Sequence, residues 1–228
     1  MIDLRPERPL EREAQIELVS VNVSKPKYLG QHRGHAVTSG IAKVPVRAEF
    51  LHLDRLNLEG DGQADLRVHG GPDKAVYAYP SEHLPRWSAE LGQELGPGAF
   101  GENLTTAGGT EDDVCIGDKW FWGDAVLEVC QPRSPCYKLA MHRGRGDIGR
   151  RMHKSGRTGW YLRVLEPGRV PVAGPITVEP HPLGATVRVV WDAAEPQGGV
   201  PNEVIEALLA VEPLADNWKM ALVARLPD

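Results

Sequence analysis

The chain has 228 residues, 41% of them apolar and 25% charged, with a formal net charge of −5. That length buries one good core plus a modest appendage without disulfides. Its first fifteen residues are dense in Arg and Glu with no apolar segment, and nowhere do about 18 apolar residues run together, so neither secretion nor membrane spanning is expected.

Val19, Val21 and Val23 alternate with Ser20, Asn22 and Ser24, which predicts a first strand with one apolar face. Short apolar and β-branched runs predict further strands at Val44–Phe50, Leu66–His69 and Ala75–Tyr79. A helix follows Tyr79, with Ser81 as cap and Leu84, Trp87 and Leu91 on one face; Pro85 lies early enough to be tolerated. Strands are then expected at Val114–Ile116, Val126–Cys130, Gly159–Leu165 and Ile176–Glu179, with a short helix from Asp147. Scattered Gly and Pro between short strands read as mainly β, a barrel or sandwich. The last forty residues change character: Asn202 caps a helix through Ala210, and Asp216–Leu226 forms a second stripe through Met220 and Val223. The expected organisation is a barrel domain over 1–183, its first fifteen or so residues a leader, and a small helical unit over 184–228.

The chemistry is concentrated at Cys136, in the run Pro132-Arg-Ser-Pro-Cys-Tyr-Lys138. Pro135 holds Ser134 extended and fixes its own φ, presenting the thiol beyond the strand end. Arg133, Lys138 and His142 would favour a thiolate, which is both a nucleophile and a soft metal ligand. A buried structural cysteine is the alternative. Arg133 to Arg163 carries a formal +8, leaving −13 for the remainder, so an anionic ligand is expected beside Cys136. A solvated basic face and a nucleic-acid surface are the competing readings. Without a stacking ladder or a Cys/His finger, a small phosphate-bearing ligand ranks above nucleic acid.

Glycine-rich turns at Gly60-Asp-Gly-Gln-Ala-Asp65 and His69-Gly-Gly-Pro-Asp-Lys74 form a second candidate. Gly70 and Gly71 permit positive φ or close ligand approach, and His69 and Lys74 supply donors, although a plain hairpin loop fits equally well. Asn103 in Phe100–Thr106 is a third candidate, through its amide, and Arg157 in Gly156–Tyr161 a fourth. Cys115 and Cys130 sit in apolar runs and read as structural. Three cysteines without a CxxC pair suit a reducing, cytoplasmic compartment and cannot supply a four-thiolate cluster. Zinc-hydrolase histidine spacings and a G-x-S-x-G elbow are missing from the sequence.

Taken in order, Gly60–Asp65, His69–Tyr77, Phe100–Leu104, Gln131–Cys136 and Gly156–Tyr161 resemble the MOSC-domain family, named for the molybdenum-cofactor sulfurase C-terminal domain. The tail resembles the three-helix extension of its stand-alone bacterial subfamily. The resemblance implies a MOSC-type β-barrel with peripheral helices that binds a pterin-based molybdenum cofactor, with Cys136 as metal ligand and catalytic residue. It places Ser24 and Lys25 near the cofactor; His69, Lys74, Asn103 and Arg133 are further expected contacts. It implies reduction of N-hydroxylated compounds, nucleobase analogues among them. Electrons would come from an external reductase, since no flavin fingerprint is present. Tyr137 stands where many relatives carry Trp, and Ala173-Gly-Pro175 replaces a more usual Gly-Asp turn. Pyridoxal phosphate is not expected, because the aminotransferase-like domain of the sulfurases is missing. A carrier of the cofactor or of a Cys136 persulfide is the alternative function. Neither stable nucleic-acid binding nor a membrane partner is expected, and no heptad supports the homodimer that the tail or barrel edge would permit.

Overall fold

A computed structural model describes residues 4, 14–65, 70–195 and 199–227. Its centre is a closed barrel of seven strands: β1 (Ala14–Val23), β6 (Val76–Pro80), β7 (Leu104–Ala107), β8 (Lys119–Trp122), β9 (Ala125–Pro132), β10 (Trp160–Glu166) and β12 (Gly174–Glu179). They run in the order β12-β8-β9-β10-β6-β7-β1, and β1 pairs back onto β12 from Ala14↔Val178 to Leu18↔Gly174. Closure removes the exposed edges that an open sheet would carry. Among the described strands the β6–β7 pair alone is parallel, which requires the long crossover that carries the helix α1 (Leu84–Leu91).

Three elements extend the barrel. The hairpin of β2 (Lys27–His32) and β3 (His35–Ser39) projects from the end of β1. The two-residue strand β4 (Val44–Pro45) adds to that same end, and β5 (Phe50–Leu53) pairs with β11 (Gly168–Pro171) in a separate ribbon. The single strand expected over Val44–Phe50 is therefore two strands, separated by a bend at Ala48 and Glu49.

The alternation expected in β1 is also corrected. The register slips between Leu18 and Ser20, a bulge that flips the faces: Ile16 and Leu18 point inward before it, Val21 after it, and Val19 is left 50% exposed. Val114–Ile116 is a turn with one isolated bridge, Cys115↔Thr186, not a strand. The expected strand Leu66–His69 lies outside the described residues, as does most of the expected leader.

The barrel interior holds Trp120, Trp122, Trp160, Leu127 and Ile176, with Trp120 and Trp160 edge to face at 6.0 Å. A second cluster lies outside it, where Tyr77, Tyr79 and Phe100 meet Leu84, Trp87, Leu139, Ile148 and Met152. It seats α1 together with α2 (Tyr137–Arg143) and α3 (Ile148–Ser155). Leu84, Trp87 and Leu91 are the buried residues of α1, as their spacing predicts. Ser81 does not cap α1; it opens a 3-10 turn, Ser81–His83, that leads into it.

The tail forms α4 (Val187–Ala194), α5 (Asn202–Leu209) and α6 (Asp216–Val223), and Thr186 caps α4 by accepting from the Val189 amide at 3.1 Å. Val187, Trp191, Ile205, Leu208, Trp218 and Leu222 join the barrel's own core cluster. Two expectations there are corrected: Asn202 begins α5 after Pro201 at the cap position, and Met220 and Val223 face solvent at 67% and 56% exposure while Trp218 and Leu222 face the core. No described helix is long and apolar enough to cross a membrane.

Candidate functional site

Where β9 ends, the chain turns through Arg133–Cys136 into α2, with Cys136 at the cap position in extended conformation (φ −118°, ψ 166°). Its backbone is fixed by the Leu139 amide donating to the Cys136 carbonyl at 3.0 Å and by Arg133 N–H bonding to Gly159 O at 3.0 Å. Cys136 is a free, partly exposed thiol on a cleft of about 280 Å³. Cys115 and Cys130 are buried, and burial pushes both thiols far above the ordinary range, so the structural reading of both holds.

The cations expected around Cys136 divide into two groups. Arg133 and Lys138 are nearly buried and line the cleft. The Arg133 guanidinium lies 5.2 Å from the Tyr77 ring centroid and donates to Met152 Sδ at 3.8 Å. Burial opposes its charge, but Tyr77, Tyr161 and Cys136 outweigh that and raise its pKa. His142 goes the other way: burial, then Arg143, lowers its pKa, so it adds no positive charge at neutral pH. Much of the expected basic concentration is met by carboxylates. Arg145 and Arg151 pair with Asp147, and Arg163 pairs with Asp73 and Glu128. Arg157, a candidate anion contact, instead bonds Glu90 at 2.9 Å and stacks on Trp87 at 3.9 Å, away from the cleft.

The opposite wall is organised by Asp61, which is 3% exposed. Its Oδ1 accepts from the Ser24 amide at 2.9 Å and from the Lys43 ammonium, and its Oδ2 accepts from Asn103 Nδ2 at 2.9 Å. Burial lowers the Lys43 pKa, and the Asp61 carboxylate partly restores it. Gly40 packs so tightly on the Gly62 and Ser24 carbonyls that no Cβ would fit, which brings the root of the β2–β3 hairpin against the Asp61 loop.

Of the expected site residues, Lys74, Asn103, Arg133 and Cys136 line the cleft together. Asn103 has both amide atoms engaged within the protein: Oδ1 accepts from Tyr77 N at 3.1 Å, and Nδ2 reaches Asp61 and the Asn22 carbonyl. It is placed as an organiser of the wall. Ser24 and Lys25 sit behind it; the Ser24 hydroxyl donates to Lys25 O and Lys25 Nζ to Asp61 O at 2.7 Å, and neither lines the cleft. His69 lies outside the described residues. Lys74 ends the 3-10 turn Pro72–Lys74, which follows Gly71 at φ +95°. That turn is held where the Asp73 carbonyl accepts from Gln131 Nε2 at 2.7 Å.

Sequence reasoning missed Lys43, Gln131, Asn217 and Trp218, all of which line the cleft. Asn217 Nδ2 donates to Gln131 Oε1 at 3.2 Å, and the Ala215 amide donates to the Cys130 carbonyl at 3.0 Å, so the start of α6 is bound to the strand that leads to Cys136. Among the described residues no group of three or more His, Cys, Asp or Glu could hold a bare metal ion. A metal at Cys136 would have to bring most of its ligands with it.

Residues 65–177 match the MOSC domain model. The chain is 48% identical over 159 residues to the uncharacterized protein YflK of Bacillus subtilis, covering 70% of this chain and 71% of that one. A protein of Gibberella moniliformis named as a reductase is 39% identical over 127 residues, which are 53% of this chain but 23% of that protein. The crystal structure of YiiM from Geobacillus stearothermophilus superposes with a TM-score of 0.76 at 32% identity, covering 93% of this chain and all of that one.

Proposed function

The chain belongs to the MOSC-domain family, and on that footing we propose that it binds a pterin-based molybdenum cofactor at Cys136 and reduces N-hydroxylated compounds, nucleobase analogues included, with electrons from a separate reductase. The observation that carries this reading is a partly exposed thiol on a cleft with Lys43, Lys74, Arg133 and Lys138 in its walls. The donor set fits the group: one soft thiolate suits a metal that already carries a dithiolene, and buried cations suit phosphate and dithiolene charge.

When bound, the cofactor supplies two-electron removal of oxygen, so that N–OH, two electrons and two protons become N–H and water. The chain's residues do the rest. Cys136 holds the metal, Arg133 and Lys138 face anionic groups from one wall, and Lys74 does so from the turn that Gln131 holds. Lys43 adds a further cation to the opposite wall, where the Asp61 carboxylate holds its ammonium. Asn103 and Asp61 keep that wall rigid.

The test is molybdenum and pterin content per chain for the wild type and Cys136→Ala, both purified without oxygen from a host that makes the cofactor. Near-stoichiometric metal in the wild type and its loss in the variant are expected. Folded wild-type protein without either component would overturn the reading. A persulfide on Cys136 by mass spectrometry, with no turnover of hydroxylamines, would favour a sulfur carrier instead.

A further inference from the structure

From Lys25 to Ala48 the sequence holds five Lys or Arg, two His and no acidic residue, in a chain of net charge −5. Lys25 and Lys43 turn inward to Asp61, but Lys27, Arg33 and His35 are exposed on the β2–β3 hairpin. The hairpin stands beside the cleft mouth. At its root Ser39 and Gly40 line the cleft; farther out His32 stacks on Tyr137, the residue after Cys136, with ring centroids 4.4 Å apart. Gly30 faces Met141 of α2. Tyr137, on the hairpin face that His32 occupies, is 45% exposed, whereas Tyr28 pairs with Thr38 on the opposite face. An exposed aromatic ring at the cleft mouth, beside a hairpin that carries exposed cations, is suited to protein docking. The hairpin's sign, opposite to that of the whole molecule, would select and orient an acidic partner.

We propose that the β2–β3 hairpin and Tyr137 form the docking surface for an acidic electron-transfer protein, a flavin- or iron–sulfur-bearing donor whose electrons enter through the mouth at Cys136. The inference rests on the reductase reading, because that chemistry needs two electrons per N–OH reduced and the sequence carries no flavin fingerprint or four-cysteine set. The donor is oxidised by two electrons as N–OH and two protons give N–H and water. Lys27 and Arg33 steer the donor, and Tyr137 supplies contact area at the mouth.

The experiment uses the cofactor-loaded full chain and its Lys27→Glu/Arg33→Glu variant, both substitutions lying on exposed positions. Binding of a purified acidic flavodoxin-type FMN protein is titrated at low and high ionic strength, and turnover is measured with that protein and with reduced methyl viologen. Charge reversal should weaken flavodoxin binding about tenfold and flatten its salt dependence, lower flavodoxin-driven kcat/KM to match, and leave dye-driven turnover within about twofold. Unchanged flavodoxin affinity in the variant, or an equal fall in dye-driven turnover, overturns the proposal. So does tight binding of a mixed-sequence DNA duplex by a wild type that shows no flavodoxin affinity. If the wild type turns over with neither donor, the reductase reading fails, and the binding titration still decides whether the hairpin recognises acidic protein.

Discussion

Asn103 donates its side-chain amide to Asp61 Oδ2 at 2.9 Å, and this bond joins two loops from distant parts of the sequence into one wall of the cleft. Both residues are nearly fully buried, and Asp61 also holds the Lys43 ammonium. Removing the carboxylate leaves a buried cation unpaired, strips the Ser24 amide of this acceptor and takes from Asn103 Nδ2 one of its two. Asp61→Ala should therefore cost about 3–5 kcal/mol in urea unfolding. Adding Lys43→Met should recover part of that loss, because the unpaired charge goes with it. If Asp61→Ala unfolds within about 1 kcal/mol of the wild type, the hub does not hold the wall.

Cys136 makes the opposite prediction. It is partly exposed, its side chain belongs to neither core cluster, and its structural work is done by its carbonyl. Cys136→Ser should change the unfolding free energy by less than about 1 kcal/mol and leave the circular-dichroism spectrum unchanged, while reduction of an N-hydroxylated substrate disappears. Full turnover in the variant would remove Cys136 from the metal. A large loss of stability would show that the thiol is part of the packing after all.

The parts of this molecule that were legible from sequence are those set by local periodicity or rigid turn chemistry. The α1 face of Leu84, Trp87 and Leu91 follows helical spacing, and the Cys136 turn follows from Pro135 and the strand before it. Hidden features were of two kinds. The bulge at Val19 reverses the faces of β1, and no residue type there announces it, since the slip depends on how β7 pairs alongside. The short strands β2, β3 and β11 and the seven-residue helix α2 carry too few apolar positions to show a period. In the site, Lys43 and Asn217 look like ordinary surface residues in sequence. They acquire roles only when closure brings Asp61 to one and Gln131 to the other. The formal +8 misled in part because Glu90, Asp73 and Glu128, outside that segment, fold back onto its arginines.

A pH dependence follows from Asp118. Its carboxylate accepts from the Cys115 amide and the His181 amide, each at 2.8 Å, yet burial dominates and raises its pKa to about 6. An unfolded Asp titrates near 3.9, so the folded state binds the proton more tightly. The resulting stabilisation is complete below about pH 4 and is lost as pH rises through about 6. Two pH units correspond to about 3 kcal/mol. Relative to Asp118→Asn, which cannot titrate, the wild type should lose about 2 kcal/mol between pH 4 and pH 7 in urea unfolding. Parallel stability curves for the two proteins would show that Asp118 is not held in this way.

The helical tail should prove to be part of the cleft rather than an ornament on the barrel. Asn217 donates to Gln131, Gln131 donates to the Asp73 carbonyl, and Asp73 precedes Lys74 in the turn that brings this lysine to the cleft. Asn217 is itself exposed, so Asn217→Ala removes one hydrogen bond without opening a cavity and should cost only about 1 kcal/mol. Its effect should be local. With Gln131 released on one side, the Lys74 and Ala75 amides, which bond back to Gly71 and Pro72 within the turn, should exchange with deuterium several-fold faster. Amides in the middle of β9 and β10 should keep their protection. Unchanged exchange at Lys74 and Ala75 would mean that the turn is held by the barrel alone, through Arg163 on Asp73, and that the tail merely borders the cleft.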